Sequence, residues 1–421
     1  MATIPRRGRQ ARQAAADVVD ARAADTRYVP SALPSAKVPL HLAHTDASYL
    51  TAEISATAVR ENLALLRSRL APGTKLCAVV KADCYGHGLR TLLGVLSGAA
   101  DCLAVATPEE AVFLRDLGYE RDILLFFTPC AYCDGARADD ALGELIAQRV
   151  TLTIVSPGEL ATVARAAARV GSAARVHLKI DTGMGRSGVS HEQAGELISR
   201  VRAADGVKLA GLYTHFASAD EADKDFTLRQ ARRLEQVVAS AGGPGGLTLH
   251  AANSAATIDL PETHLDMVRP GVAIYGYQPS DEMHTRLSLR PAMRLWARLM
   301  QVKHVPAGSR CGYGLIHTFQ RDSRVGLVPI GYADGYLRCL SNRATMRVRG
   351  CDVPVRGRVS MDQVILDLTD VPQAAVGDAV EIFSPDPAAP HSVENLARLA
   401  GTIPYEIISR LGRRVRRVLT D

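Results

Sequence analysis

From about residue 51 to residue 285, short apolar runs alternate with longer Ala-, Leu- and Arg-rich stretches, and this alternation restricts the chain to βα units around a parallel sheet. Seven strands are predicted: Leu76 to Val80, Cys102 to Ala106, Ile123 to Phe127, Thr151 to Val155, Val176 to Ile180, Leu209 to Thr214 and Leu247 to His250. Between them, Pro157 to Val170 and Glu192 to Ala204 carry helical apolar spacing. About eight such units in roughly 235 residues fit one (β/α)8, TIM-like barrel.

Beyond about residue 285 the texture changes to short β-branched runs separated by Gly, Pro and Asp, with little helical periodicity before Val393 to Ala400. The expected architecture is α/β: a barrel over 46–284 followed by a mainly-β domain over 285–421, with the boundary near Ser280 to Thr285. Residues 1–45 hold no core-forming pattern, contain Pro30, Pro34 and Pro39, and are expected to form a disordered extension.

Of the formal charge of +6, this leading segment supplies +4, from seven Lys or Arg against three Asp. The remainder is close to neutral. The arginines near the end of the chain, Arg410, Arg413, Arg414, Arg416 and Arg417, lack interleaved aromatics, so nucleic acid is not expected as a partner. No stretch is long and apolar enough to cross a bilayer, and Asp17, Asp20 and Arg22 interrupt the only N-terminal run that could act as a secretory core. A cytoplasmic protein with no membrane partner is expected. The eight cysteines are scattered, and Cys130 with Cys133 has no second pair at zinc-ribbon spacing, so reduced thiols and no metal are expected.

Lys81 closes the apolar run Ala78-Val79-Val80. A lysine at a buried strand end can have its amine made less basic by a low-dielectric setting, which suits covalent capture of a carbonyl group. Alone it would read as a lysine reaching out of a strand end. The run Val80-Lys81-Ala82-Asp83-Cys84-Tyr85-Gly86-His87-Gly88, however, resembles the cofactor-lysine motif of the alanine racemase family. Further resemblances follow in the family's order: Leu178-Lys179-Ile180-Asp181-Thr182-Gly183-Met184-Gly185-Arg186, Tyr213-Thr214-His215-Phe216-Ala217, Asn253-Ser254-Ala255 and Val268-Arg269-Pro270-Gly271. The second half continues with Gly312-Tyr313-Gly314, Gly331-Tyr332-Ala333-Asp334-Gly335-Tyr336, Gly357-Arg358-Val359-Ser360-Met361-Asp362 and Thr402-Ile403-Pro404-Tyr405-Glu406. Nine motifs in one order, over about residues 48 to 419, are far more specific than any one of them.

The resemblance implies a pyridoxal 5'-phosphate (PLP) enzyme that interconverts L- and D-alanine at the mouth of the barrel, supplying D-alanine for peptidoglycan. It implies that Lys81 holds the cofactor and serves D-alanine as a base, while Tyr313, reaching in from the other subunit of a homodimer, serves L-alanine. Tyr85, Asn253, Ser254, the amides of Gly271 and Val272, and Tyr405 are implied cofactor ligands, and His215 is an implied relay to Arg269. The resemblance sets Arg269 against the pyridine nitrogen, where a permanently protonated group can only donate. That leaves the ring a weaker electron sink and favours simple reprotonation. Arg186, Met361 and Asp362 are implied substrate contacts, and Lys179 matches a lysine that is carbamylated in many relatives.

Asp83, Ser187, Arg356 and Pro404 depart from the family pattern. None removes a catalytic group, but Arg356 and Pro404 bear on the shape of the pocket. A broad-specificity amino-acid or serine racemase on the same scaffold is the alternative activity, and a silent PLP-binding protein is a further one.

Overall fold

A computed structural model describes residues 49–127, 130 and 135–421. The extension over 1–45 and the Cys133 half of the CxxC pair therefore lie outside the described residues.

The chain enters on β1 (Leu50–Ser55) and then runs through β2 (Lys75–Val79), β3 (Cys102–Val105), β4 (Ile123–Leu125), β5 (Val150–Ile154), β6 (Ala174–Asp181), a short β7 (Val189–Ser190), β8 (Val207–Tyr213), β9 (Thr248–His250) and β10 (Met267–Val268). A parallel sheet orders eight of these as β10-β2-β3-β4-β5-β6-β8-β9, with β7 alongside β6. The ends of the path meet, because Asp266 N donates to the Leu249 carbonyl at 3.1 Å and Arg269 N to that of Ala252 at 2.8 Å. This is the expected near-closed barrel. Strands β3, β4 and β5 are buried along their whole length, as strands covered by helices on one face and barrel core on the other must be.

Local signals explain the helices. Thr107 and Glu110 form a capping box at the start of Pro108–Asp116. Ser156 caps Pro157–Val170, whose end is set by Gly171 in the left-handed conformation.

β1 is not a barrel strand. It pairs antiparallel with β11 (Met293–Arg298) and parallel with β20 (Arg416–Thr420), inside the sheet of the second half. The span 46–284 expected to form the barrel thus opens with a strand that belongs to the other sheet. Between β11 and β20 come β12 (Gln301–Val305), β13 (Arg310–Cys311), β14 (His317–Thr318), β15 (Ser323–Val328), β16 (Thr345–Val348), β17 (Cys351–Arg356), β18 (Val364–Asp367) and β19 (Ala379–Phe383). The sheet runs β12-β15-β18-β17-β16-β19-β11-β1-β20, while β13 and β14 form a separate ribbon. Val393–Ala400 is helical as expected, and Pro404–Ser409 adds a helix that Pro404 can open at no cost, since the first helical N–H has no partner in any case. No helix is long and apolar enough to cross a membrane, and no group of three or more His, Cys, Asp or Glu is placed to hold a metal ion, both among the described residues.

Candidate active site

Among the described residues, the turn that carries Lys81 is the most strained backbone in the barrel. Ala82, Asp83, Cys84 and Tyr85 all have φ between 52° and 55°, so four side-chain-bearing residues in succession are left-handed. Each costs about 1–2 kcal/mol, and such strain persists only where the surroundings impose it. Here Glu110 accepts from Ala82 N at 2.6 Å and from Ala106 N at 2.8 Å. Asp83 accepts from Leu89 N at 2.6 Å. The buried His87 ring donates from Nδ1 to the Cys84 and Tyr85 carbonyls. Arg417, from the last strand, donates to the Gly86 carbonyl at 3.1 Å.

Lys81 emerges half-buried at the C-terminal end of β2. Burial first, and then the nearby Arg186 guanidinium, hold its amine below the usual lysine range, opposed by Glu110. Lys179, on β6, is buried with its ammonium 5.9 Å from the centre of the Tyr213 ring. Burial and then Arg186 bring it down to about 8. Asp181 accepts from the Gly183 and Gly185 amides and so folds the loop that presents Arg186. Lys81, Lys179, Arg186 and Arg269 all bear on His215, which makes the barrel mouth strongly electropositive.

Arg269 follows β10 and is buried. Its Nη2 donates to the Thr214 and Ala251 carbonyls at 2.8 and 2.9 Å and to His215 Nδ1 at 3.4 Å, and its Nη1 donates to His250 Nδ1 at 2.6 Å. The Tyr213 ring covers its guanidinium at 5.1 Å. Burial lowers Arg269 only to about 10, so it stays protonated near neutrality.

A hydroxyl-lined corner stands opposite. Ser254 Oγ accepts from Gly271 N at 2.8 Å and from Ala273 N at 3.4 Å. A Cβ on Gly271 would stand 2.4 Å from the Tyr85 hydroxyl, so only glycine lets the backbone come this close. Tyr85 packs on Tyr275 and Tyr405 with ring centres 5.2 and 6.1 Å apart. Asn253, rather than Ser254, caps the helix Ser254–Asp259 by accepting from Ala256 N, and Val272 opens the buried turn Val272–Tyr275.

The fold thus gathers Lys81, Tyr85, Lys179, Arg186, His215, Asn253, Ser254, Arg269, Gly271, Val272 and Tyr405 around one barrel mouth. Three expected residues are presented differently. Tyr313 sits on a turn between two left-handed glycines and is 71% exposed, so a single chain does not bury it against Lys81. Met361 is 53% exposed, its carbonyl accepting from Ala333 N, and Asp362 is paired with Arg414 at 2.8 Å. Glu110, Tyr275, His177 and His250 were missed by the sequence reading. A histidine ending a predicted barrel strand, as His250 does, was the available signal for one of them.

A corner of hydroxyls with a glycine cradle is chemically suited to the oxygens of a phosphate, and an amine of lowered basicity at the strand end is suited to an aldehyde. The residues fit PLP. Fold and site define an α/β barrel with a strand-end lysine of lowered basicity in a cationic mouth, an arrangement suited to a carbonyl cofactor.

Comparison with known proteins gives the family. Residues 54–279 match the model of the alanine racemase N-terminal domain, and residues 292–419 that of the C-terminal domain. The alanine racemase of Desulfovibrio desulfuricans is 42% identical over 376 residues, which is 88% of this chain and 98% of that protein. That of Methanococcus maripaludis is 37% identical, covering 87% and 97%. Among solved structures, alanine racemase from D-cycloserine-producing Streptomyces lavendulae superimposes with a TM-score of 0.82 at 38% identity, over 89% of this chain and 97% of that one. The biosynthetic alanine racemase of Pseudomonas aeruginosa gives 0.75 at 35%, over 88% and 99%. The chain belongs to the alanine racemase family, the PLP-dependent isomerases of alanine.

Proposed function

We propose that this chain interconverts L- and D-alanine with Lys81 and Tyr313 as opposing bases, in the cytoplasm, as a source of D-alanine for peptidoglycan. PLP, when bound, supplies the conjugated electron-withdrawing system that makes an α-proton removable. Lys81 would hold it covalently. Tyr85, Ser254, Tyr405 and the Gly271 and Val272 amides would hold its phosphate, with Asn253 behind them. Arg269 would donate to the ring nitrogen, and His215, whose Nδ1 accepts from Arg269, keeps its own proton on Nε2 for relay to Tyr313.

Burial and Arg186 make the Lys81 amine a base that is partly unprotonated closer to neutrality than a surface lysine. Tyr313 needs a second subunit to stand across from it. Its exposure on a glycine-flanked turn supports a homodimer in which each tyrosine completes the partner's site. Arg186, the Met361 backbone and Asp362 would orient the substrate carboxylate. Lys179, brought to about 8, is unprotonated in a larger fraction near neutrality than a surface lysine, and that fraction can add carbon dioxide with loss of a proton; the resulting carbamate would offset Arg186.

The observation that carries the reading is Lys81 at the end of β2, half-buried and less basic than usual in a cationic mouth. An absorbance spectrum of the purified protein with PLP, followed by an alanine racemisation assay, tests it. A visible band and turnover are expected, both lost in Lys81→Ala. A folded protein with neither would end the proposal.

A further inference from the structure

A chain of buried imidazoles runs from Arg269 away from the mouth and towards the opposite end of the barrel. Arginine only donates, so His250 Nδ1, 2.6 Å from Arg269 Nη1, accepts. A neutral imidazole that accepts at Nδ1 carries its proton on Nε2, and that atom lies 2.8 Å from His177 Nδ1. His177 Nδ1 must then accept as well, which puts its proton on Nε2, a buried atom with no protein partner. Both rings are neutral for the same physical reason. Burial is the main cause, the neighbouring cations add to it, and His177 is brought down to about 3.

The barrel is shaped to admit this second ring. The β6–β8 register shifts between Val176 and His177, and Gly211 faces His177 across the strands. A Cβ on Gly211 would stand 2.8 Å from both Cε1 and Nε2 of that imidazole. Tyr213 lies flat on His250, with ring centres 4.7 Å apart and planes 8° apart. Beyond His177 a cavity of about 70 Å³ is also lined by Lys75, Asp101, Asp122, Thr151 and Arg175. That is room for water to receive the Nε2 proton.

We propose that His177 is a positioning residue for Arg269: by accepting from His250 Nε2 it selects the one tautomer of His250 that keeps a lone pair on the guanidinium. In the other tautomer an N–H of His250 would face an N–H of Arg269 at 2.6 Å, and one of the two side chains would have to move. The effect on turnover rests on the racemase reading above, whereas the tautomer assignment does not.

The test uses PLP-loaded protein labelled with ¹⁵N-histidine. Unprotonated-type shifts at Nδ1 and protonated-type shifts at Nε2 are expected for both His177 and His250. His177→Phe keeps a ring but removes the acceptor. It should leave His250 in mixed tautomers and lower kcat about tenfold with little change in KM, at the low end of what losing a partner behind a working histidine costs. His177→Asn, which offers an amide oxygen near the position of Nδ1, should restore the His250 tautomer and most of kcat. The inference is overturned if His177→Phe leaves both unchanged, which would mean that the ring only fills space, or if His177→Asn is as impaired as His177→Phe, which would mean that an acceptor at this position does not set the tautomer. Should His177→Phe fail to fold, the unsubstituted protein still decides, because a proton on His177 Nδ1 contradicts the proposal. A protein that does not racemise alanine at all would strike the proposed function instead, and the nitrogen shifts would still decide this inference.

Discussion

Gly86 packs so closely on Ile408 that a Cβ at this position would lie 2.0 Å from the Ile408 carbonyl oxygen. The contact fixes the left-handed turn behind Lys81 against the helix that carries Tyr405, and so ties the Lys81 loop of the barrel to Pro404–Ser409. Gly86 itself has φ of 82°. Gly86→Ala should therefore destabilise the protein twice over, by about 1 kcal/mol for the backbone and 1–3 kcal/mol for overpacking. Equilibrium denaturation checks this. A variant within about 0.5 kcal/mol of the parent, the range of an ordinary surface substitution, would show that the two elements part easily.

Tyr313→Phe should keep the visible band, because the hydroxyl takes no part in holding PLP. Its kcat should fall by roughly 10²- to 10⁴-fold in both directions, the usual cost of losing a general acid–base group. In deuterated water the variant should still exchange the α-proton of D-alanine faster than it racemises it. Mixing its subunits with Lys81→Ala subunits should restore some activity, since a hybrid dimer holds one site with both bases. If exchange of subunits is verified and no activity returns, Tyr313 does not cross between subunits.

Gly271→Ala probes the phosphate corner without removing a hydroxyl or a charged side chain. Its Cβ would meet the Tyr85 hydroxyl at 2.4 Å, and pushing that ring aside should cost about 1–3 kcal/mol of binding, or about 5- to 150-fold in the Kd for PLP. Spectrophotometric titration of the apoprotein reads this directly. An unchanged Kd in a folded variant would place the phosphate elsewhere.

The parts of this molecule legible in sequence are those whose signal is local. Leu103, Ala104, Leu124 and Leu125 sit in runs buried on both faces, and Pro157–Val170 carries its own Pro, cap and helical period, so strands and helices were placed within a few residues. Met267–Val268 was not predicted as a strand, because two residues carry no period. Leu50–Ser55 alternates as a strand should, but its partners begin more than 240 residues away, and nothing in its own composition names them. The same distance hid the second half of the site. Lys81 and Arg269 stand in motifs, whereas His177 and His250 gain meaning only when β6 and β9, on either side of β8, set one imidazole against the other.

Those imidazoles make the fold sensitive to acid. His87 is held down to about 4 and His177 to about 3, chiefly by burial, and His215 and His250 lie well below the ordinary histidine value for the same first reason. In the unfolded chain all four titrate near 6.5, so below that pH the unfolded state binds more protons than the folded one. The sign follows: the stability associated with keeping these rings neutral is fully present above about pH 6.5 and is lost progressively as the pH falls towards the folded-state values. Each ring contributes a slope of up to about 1.4 kcal/mol per pH unit, or roughly 5 kcal/mol per unit for four acting together. Stability should thus fall steeply between pH 6.5 and 4, before most carboxylates are protonated. Urea denaturation at half-unit steps from pH 8 to pH 4.5 checks this, with His177→Asn expected to flatten the slope by about one proton. A midpoint that stays constant from pH 7 to pH 5 would mean that the rings are charged or solvated in the folded protein, and the neutral chain behind Arg269 would fall with it.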